Sequence, residues 1–144
     1  MELPVTEVFI RLGLAALLGG IIGLERESRQ KPAGLRTNIL ITLGSAVFSI
    51  LSIEIGMDAG SPDRVAAQIV TGIGFLGAGA IMQKGMDVQG LTTAATIWVN
   101  AAIGMAVGVG SFTLAMGSAA VALITLTALG VIESRVEKRK NAAD

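Results

Sequence analysis

The sequence predicts an all-α membrane protein, a bundle of five transmembrane helices packed through ridges of glycine and alanine. Three observations carry that expectation. The 144 residues are 52% hydrophobic and only 15% charged, with a mean hydropathy of +0.71, more apolar surface than a water-soluble chain of this length keeps from water. The apolar residues fall into five runs, each close to the roughly 20 residues that cross about 30 Å of hydrocarbon as a helix. Glycine supplies 19 residues and the aromatics only four Phe and one Trp, so close backbone approach has to replace large rings in the interior.

The first run, Val5 to Leu24, has no basic start and no convincing cleavage site, and its glycine-rich end leads straight into Glu25-Arg26-Glu27. It reads as a membrane helix rather than a signal peptide. A loop, SRQKPAG, turns at Pro32 and Gly34 into the second run, Thr37 to Gly56. The segment around Pro62 leads to the third, Val65 to Met82, and QKGMDVQ, with Gly85 and Gly90 as turn residues, leads to the fourth, Leu91 to Val109. A very short VGVGS precedes the fifth, Phe112 to Ile132. Residues 133–144 read as a short charged tail, and 1–144 as a single membrane domain.

Orientation follows from the basic residues, because short loops rich in Lys and Arg stay in the cytoplasm. Nine of the eleven, Arg26, Arg29, Lys31, Arg36, Lys84, Arg135, Lys138, Arg139 and Lys140, fall on the first loop, the third loop or the tail. With an odd number of crossings the N-terminus lies outside and the C-terminus in the cytoplasm. The outer side then carries Glu2, Glu7, Glu54, Asp58 and Asp63.

Within TGIGFLGAGA, residues 71–80, Gly72, Gly74 and Gly77 satisfy G-x-G-x-x-G. A dinucleotide turn needs a buried strand before it, an amphipathic helix after it and an acidic residue about 20 positions on. Here the glycines lie inside an apolar run and Asp87 follows Gly77 by only ten positions, so they read as a helix-packing surface instead. Gly19 with Gly23 and Gly104 with Gly108 are true G-x-x-x-G pairs, and Gly79 extends the third helix's set. Gly34-Leu35-Arg36-Thr37 and Gly90-Leu91-Thr92-Thr93 both spell G-L-x-T, 56 residues apart, which suggests two helical hairpins of one orientation.

With no Cys and no His, the chain lacks disulfides, thiol nucleophiles, imidazole bases and the usual transition-metal ligands. The costly polar groups in the membrane are therefore the functional candidates. Arg11 is the deepest, with Glu7 four residues before it in the favourable order for an ion pair; it either snorkels towards Glu7 and lipid phosphates or belongs to an ion path. Glu25, Arg26, Glu27, Arg29, Arg36 and Thr37 form a charged cluster at the inner boundary, read either as a topology-fixing loop on anionic lipid or as a lock on the first hairpin. Thr92, Thr93, Thr96 and Asn100 in the fourth helix are candidates for bonds between helices or for a hydrated lining, with Gln68 and Thr71 as the expected partners. Glu54, Asp58 and Asp63 offer at most a weak outer-face site for a hard cation such as Mg2+. No activated nucleophile or paired-carboxylate site is visible, so no enzyme activity, cofactor or nucleic-acid partner is expected.

GLERE at 23–27, AGLRT at 33–37, GFLGAG at 74–79 and GLTTAATIW at 90–98 are similar to the successive signatures of the MgtC/SapB family of bacterial inner-membrane proteins. The resemblance implies a five-helix membrane domain with a cytoplasmic C-terminus, and it falls on Glu25, Arg26, Glu27, Arg36, Thr37, Gly74, Gly77, Gly79, Thr92, Thr93 and Trp98. Family members are linked to magnesium limitation, to survival of pathogens inside phagocytes and to restraint of F-type ATP synthase. They carry a further cytoplasmic domain that this sequence, ending at Asp144, is expected to lack. Two functions follow as expectations. One is a regulatory subunit docking its helices on an ATP synthase or a cation ATPase, and the other is a small oligomeric transporter or channel for Mg2+ or another divalent cation.

Overall fold

The computed structural model describes residues 3–59, 63–84 and 87–131, and for 57–59 and 84 the backbone alone. The basic tail expected at residues 133–144, and the turn residues Pro62 and Gly85, lie outside the described residues. Five α-helices run in chain order: α1 Val5–Ser28, α2 Leu35–Ala59, α3 Arg64–Gly79, α4 Leu91–Gly108 and α5 Phe112–Ile124. The last continues through a π-helical turn, Thr125–Leu129. Val5–Ser28, Leu35–Gly56, Leu91–Gly108 and Phe112–Leu129 are each long and apolar enough to cross a membrane. The third helix, at 16 residues, spans only about 24 Å.

Two expectations are corrected. The first helix does not stop at Leu24 but carries Glu25 to Ser28 for another turn, because Glu25 and Arg29 pair along the helix and favour its continuation. The third helix does not reach Met82: it ends at Gly79, and Met82–Lys84 pairs antiparallel with Asp87–Gln89 in a short two-stranded ribbon, β1 and β2, within an otherwise all-helical fold. Gly90 leads the chain into α4 at φ +90°, a conformation that a side chain rarely adopts, and a Cβ there would strike the Ala80 carbonyl. The ribbon is thus folded tightly over the end of α3.

The fourth helix is the hub, packing against all four of the others, while α3 flanks it on the α2 side and α5 on the α1 side. One apolar cluster joins Ala15, Leu18 and Ile22 of α1 to Ile103 and Val107 of α4 and to Ala115 and Ala119 of α5. A second joins Ile41, Ile69, Ile73, Ile97 and Ala101 across α2, α3 and α4. Large apolar side chains point outward: Phe9, Leu17, Leu24, Leu40, Phe48, Ile55, Phe75 and Trp98 are all exposed. In water this distribution would be ruinous, whereas in a bilayer it is the solvated one.

The second helix makes the inversion plainest. Asn38, Thr42, Ser45, Ser49 and Ser52 recur at spacings of four and three, lie on one face, and are all buried. Against this hydroxyl stripe pack the glycine pairs of the neighbours. A Cβ on Gly23 would lie 2.8 Å from Leu35 Cα and one on Gly108 2.6 Å from the Ala46 carbonyl, while Gly19 and Gly104 sit directly on Thr42. The repeat appears as Leu35 and Leu91 each opening a helix, but the tight glycine contact of α1 with α2 has no counterpart in α3, where Gly79 meets no neighbour within 4 Å.

Candidate functional site

At the heart of the α2–α4 contact, Asn38 Nδ2 donates to the carbonyls of Ala33 and, at 2.8 Å, Gly34. That fixes the amide's orientation and turns Asn38 Oδ1 towards Asn100, whose Nδ2 donates to it. Both residues are fully buried. Asn100 Oδ1 is left as an acceptor with no donor. A few residues nearer the start of α4, Arg26 NH2 donates to Thr93 Oγ1 at 2.6 Å, with a longer contact of 3.4 Å to the Pro32 carbonyl, so this arginine bridges α1 to α4. Arg26 is 4% exposed. Thr96 Oγ1 gives its hydrogen to its own helix at Thr92 O, 2.7 Å away, and Thr42 does likewise within α2.

The first helix carries two Glu–Arg pairs, one near each end, and each arginine reaches a carbonyl of another helix. Arg11 Nε meets Glu7 Oε1 at 2.9 Å, and Arg11 NH1 donates to Gly108 O at 2.6 Å. This caps the last turn of α4, where cations are favoured by the unpaired carbonyls. Arg29 Nε lies 2.6 Å from Glu25 Oε1, an ion pair without an aligned hydrogen bond, and Arg29 NH2 reaches Thr127 O at 3.3 Å in the π turn after α5. Glu27 Oε2 accepts from the Leu35 backbone N–H at 2.7 Å and caps the start of α2. Between Arg11 and Glu25 there is no charge for fourteen steps of helix, about 21 Å.

The inner-boundary set is thus brought together in part. At the end of α1, Glu25 and Arg29 pair with each other on one side, Arg26 turns to Thr93 and Glu27 to Leu35, whereas Arg36 and Thr37 are exposed on the first turn of α2. Of the packing glycines, Gly19, Gly23, Gly104 and Gly108 stand at close contacts and Gly77 makes an ordinary one, 3.7 Å from the Ala94 carbonyl to a built Cβ; Gly74 and Gly79 face open space. Gln68 and Thr71 are exposed on α3 and do not meet Asn100. Its partner is Asn38, which the sequence reading passed over. The period-3.5 polar stripe from Asn38 to Ser52 was the available signal, hidden because an apolar run invites attention to its apolar members. Among the described residues no three acidic side chains come together. Glu54 is half-buried, Asp63 is exposed, and the Asp58 side chain lies outside the described residues.

Two clefts flank the hub. One, of about 870 Å3, runs between α4 and α5 over Ile22 and is lined by Thr92, Thr96, Asn100, Gly117, Ser118 and Thr125 among others. The other, of about 890 Å3, lies between α2 and α3 and includes Thr37, Gly44, Gln68, Gly72 and Gly79.

Comparison with known proteins places this architecture. The model of the MgtC family matches residues 12–135. The chain belongs to the MgtC family. It is 47% identical to Protein MgtC of Salmonella typhimurium over 135 residues, 94% of this chain and 58% of that protein. It is 48% identical to the putative magnesium transporter YhiD of Escherichia coli K12 over 130 residues, 83% of this chain and 59% of that one. Protein MgtC of Brucella abortus is 47% identical over 129 residues, 90% and 52% of the two chains. The chain therefore spans a little over half the length of the curated relatives it matches. No solved structure matches it. In this MgtC-family chain the GLERE and AGLRT stretches are the two sides of one contact, since Gly23 packs on Leu35, Glu27 caps Leu35 and Asn38 binds back to Ala33. Together the apolar helices and the family make it a multi-pass membrane protein.

Proposed function

We propose that the chain is a non-enzymatic regulatory protein of the bacterial inner membrane, tied to magnesium homeostasis and stress adaptation. It acts by docking its helices against a larger membrane complex such as an F-type ATP synthase or a cation ATPase. Its N-terminus lies outside and its C-terminus in the cytoplasm, with Arg26, Arg29, Lys31 and Arg36 on the inner side. The observation that carries the reading is how the bundle spends its polar groups. Asn38 bonds Asn100 and Arg26 bonds Thr93 across helices, while two clefts stay open on the flanks of α4. A conducting path keeps its polar groups for the ion; a docking scaffold needs a fixed interior and free grooves. Extraction of the tagged chain in gentle detergent should bring down one such complex, and inverted vesicles containing the chain should show at least a twofold fall in ATP-driven proton pumping or cation uptake. Unaltered pumping and uptake with no co-purifying complex would end this reading.

The printed name of the Escherichia coli relative, a putative magnesium transporter, favours a second reading, a small oligomeric carrier or channel for Mg2+. In it the Arg11, Asn100 and threonine set lines the path, and Glu54, Asp58 and Asp63 attract the ion. Magnesium flux into liposomes holding only this protein, lost on Asn100→Leu, would establish it over the regulatory one.

A further inference from the structure

The cleft between α2 and α3 is open at one end and blind at the other. On α2 its wall runs from Thr37 to Phe48, eleven steps of helix or about 16 Å, close to half of a 30 Å hydrocarbon layer. Beyond it the two helices close, because the Ala66 backbone N–H donates to Ser52 Oγ at 3.0 Å. Gly44 of α2 and Gly72 and Gly79 of α3 deepen it, each with nothing within 4 Å of a built Cβ. Its sides are apolar and exposed at Leu40, Phe48, Phe75 and Leu76.

Charge gathers at the open end alone. Thr37 lines the cleft there, and Arg36 lies one step before it and four before Leu40, on the neighbouring strip of the helix surface. Both are exposed, and among the described residues neither side chain has a hydrogen bond or an ion pair. Arg11, Arg26 and Arg29, by contrast, are each tied within the bundle. The Glu27 carboxylate is held at Leu35 N–H, two steps from Thr37 and so on the opposite side of α2's first turn. Ala80, also in the lining, leads into β1 with Lys84, which brings a second basic residue to this end.

The shape and the charge together narrow the occupant. Hydrocarbon fills whatever space a protein leaves in a bilayer, since an empty groove forfeits its dispersion contacts. A partner helix crosses the whole layer, whereas the Ser52–Ala66 closure ends this groove part-way. No carboxylate lines it for a bare cation, and a free phosphate has no use for 16 Å of apolar wall. A phospholipid uses both ends. Its phosphate can take two N–H donors from Arg36 and the hydroxyl of Thr37, while its chain follows the glycines. A headgroup with its own ammonium sets a like charge against Arg36, and an anionic one does not.

We propose that the α2–α3 cleft is a binding site for an anionic phospholipid of the inner leaflet, with an acyl chain along Gly44, Gly72 and Gly79 and the phosphate on Arg36 and Thr37. Only the choice of leaflet rests on the orientation proposed above. The full chain in nanodiscs provides the test. Trp98, the one tryptophan, is exposed outside the cleft's lining and reports ordinary boundary lipid, while Phe48→Trp with Trp98→Phe moves the probe into the cleft. The quenchers are phosphatidylglycerol and phosphatidylcholine with brominated acyl chains. At the cleft phosphatidylglycerol should compete about 5-fold better, the worth of one basic residue near an anionic surface, and at Trp98 the two should be nearly equal.

Arg36→Gln should erase the preference and Arg36→Lys should keep part of it. Lys31→Gln, an equal loss of charge in the preceding loop, should leave it intact. Gly72→Phe, which grows into the open cleft, should reduce quenching by both lipids there. Arg36 and Gly72 are both exposed, and the same changes made with Trp98 retained should leave its quenching unaltered, which checks the fold. Equal affinity of the two lipids at the cleft, or equal effects of Lys31→Gln and Arg36→Gln, would overturn the proposal in favour of general surface charge. Absence of quenching at the cleft by either lipid would overturn it too, and is the result expected if a second copy or another protein covers this face. Both sides of a nanodisc carry the same lipids, so failure here leaves the orientation standing, and an inverted bundle would move the lipid to the outer leaflet without removing it.

Discussion

Asn38 and Asn100 show what a polar residue is for when the surrounding medium is hydrocarbon. Neither can find water, so each amide needs the other, and removal of one leaves the second with an unmet group. Asn100→Leu should therefore lower stability in mixed-micelle unfolding by about 1–3 kcal/mol, while Asn38→Leu together with Asn100→Leu should cost clearly less than the sum of the two single changes. Strict additivity would mean that the two amides do not interact. Asn100 was legible in the sequence because an amide in mid-segment is conspicuous. Asn38 was not, since it follows Arg36 and Thr37 at the edge of a charged loop and looks like part of it. The pairing of Arg11 with Glu7 could be read from spacing alone, but its bond to Gly108 O joins residues 97 positions apart, which no local pattern encodes.

Among the elements, glycine divides into two kinds that the sequence does not distinguish. At Gly104 a built Cβ would lie 2.8 Å from Ser45 Cβ and 2.9 Å from Thr42 Cα, so α2 and α4 must part to admit it. At Gly74 it would meet nothing within 4 Å. Gly104→Ala should lower the unfolding midpoint in SDS by the equivalent of about 1–3 kcal/mol, whereas Gly74→Ala should leave it unchanged or raise it by up to about 1 kcal/mol through helix propensity. Similar losses at both positions would refute the assignment of α4, and not the open face of α3, as the packed surface. The apolar runs revealed where helices lie because length and hydropathy are properties of a segment. Which of its faces meets a neighbour depends on the other helices, and the GFLGAG stretch on α3 turned out to hold one contact glycine, Gly77, flanked by two open ones. The β1–β2 ribbon escaped notice because three-residue strands are too short to show a period.

For the whole molecule, the charge asymmetry gives a direct test of orientation. Single cysteines at Lys31 and Asp63, introduced into this cysteine-free chain, should behave oppositely in intact cells: Asp63→Cys reacts with an impermeant maleimide and Lys31→Cys reacts only after lysis. The reverse pattern would invert the bundle. Its thickness has a further effect on its surroundings. The charge-free stretch of α1 between Arg11 and Glu25 is some 9 Å shorter than a typical 30 Å hydrocarbon layer, and Arg11 cannot stretch outward to make up the difference while it is tied to Gly108 O. The short α3 adds to the deficit on another flank. Lipids beside these helices must compress, so the molecule sits in a dimple, and any neighbour of equally stunted span relieves elastic strain by sharing it.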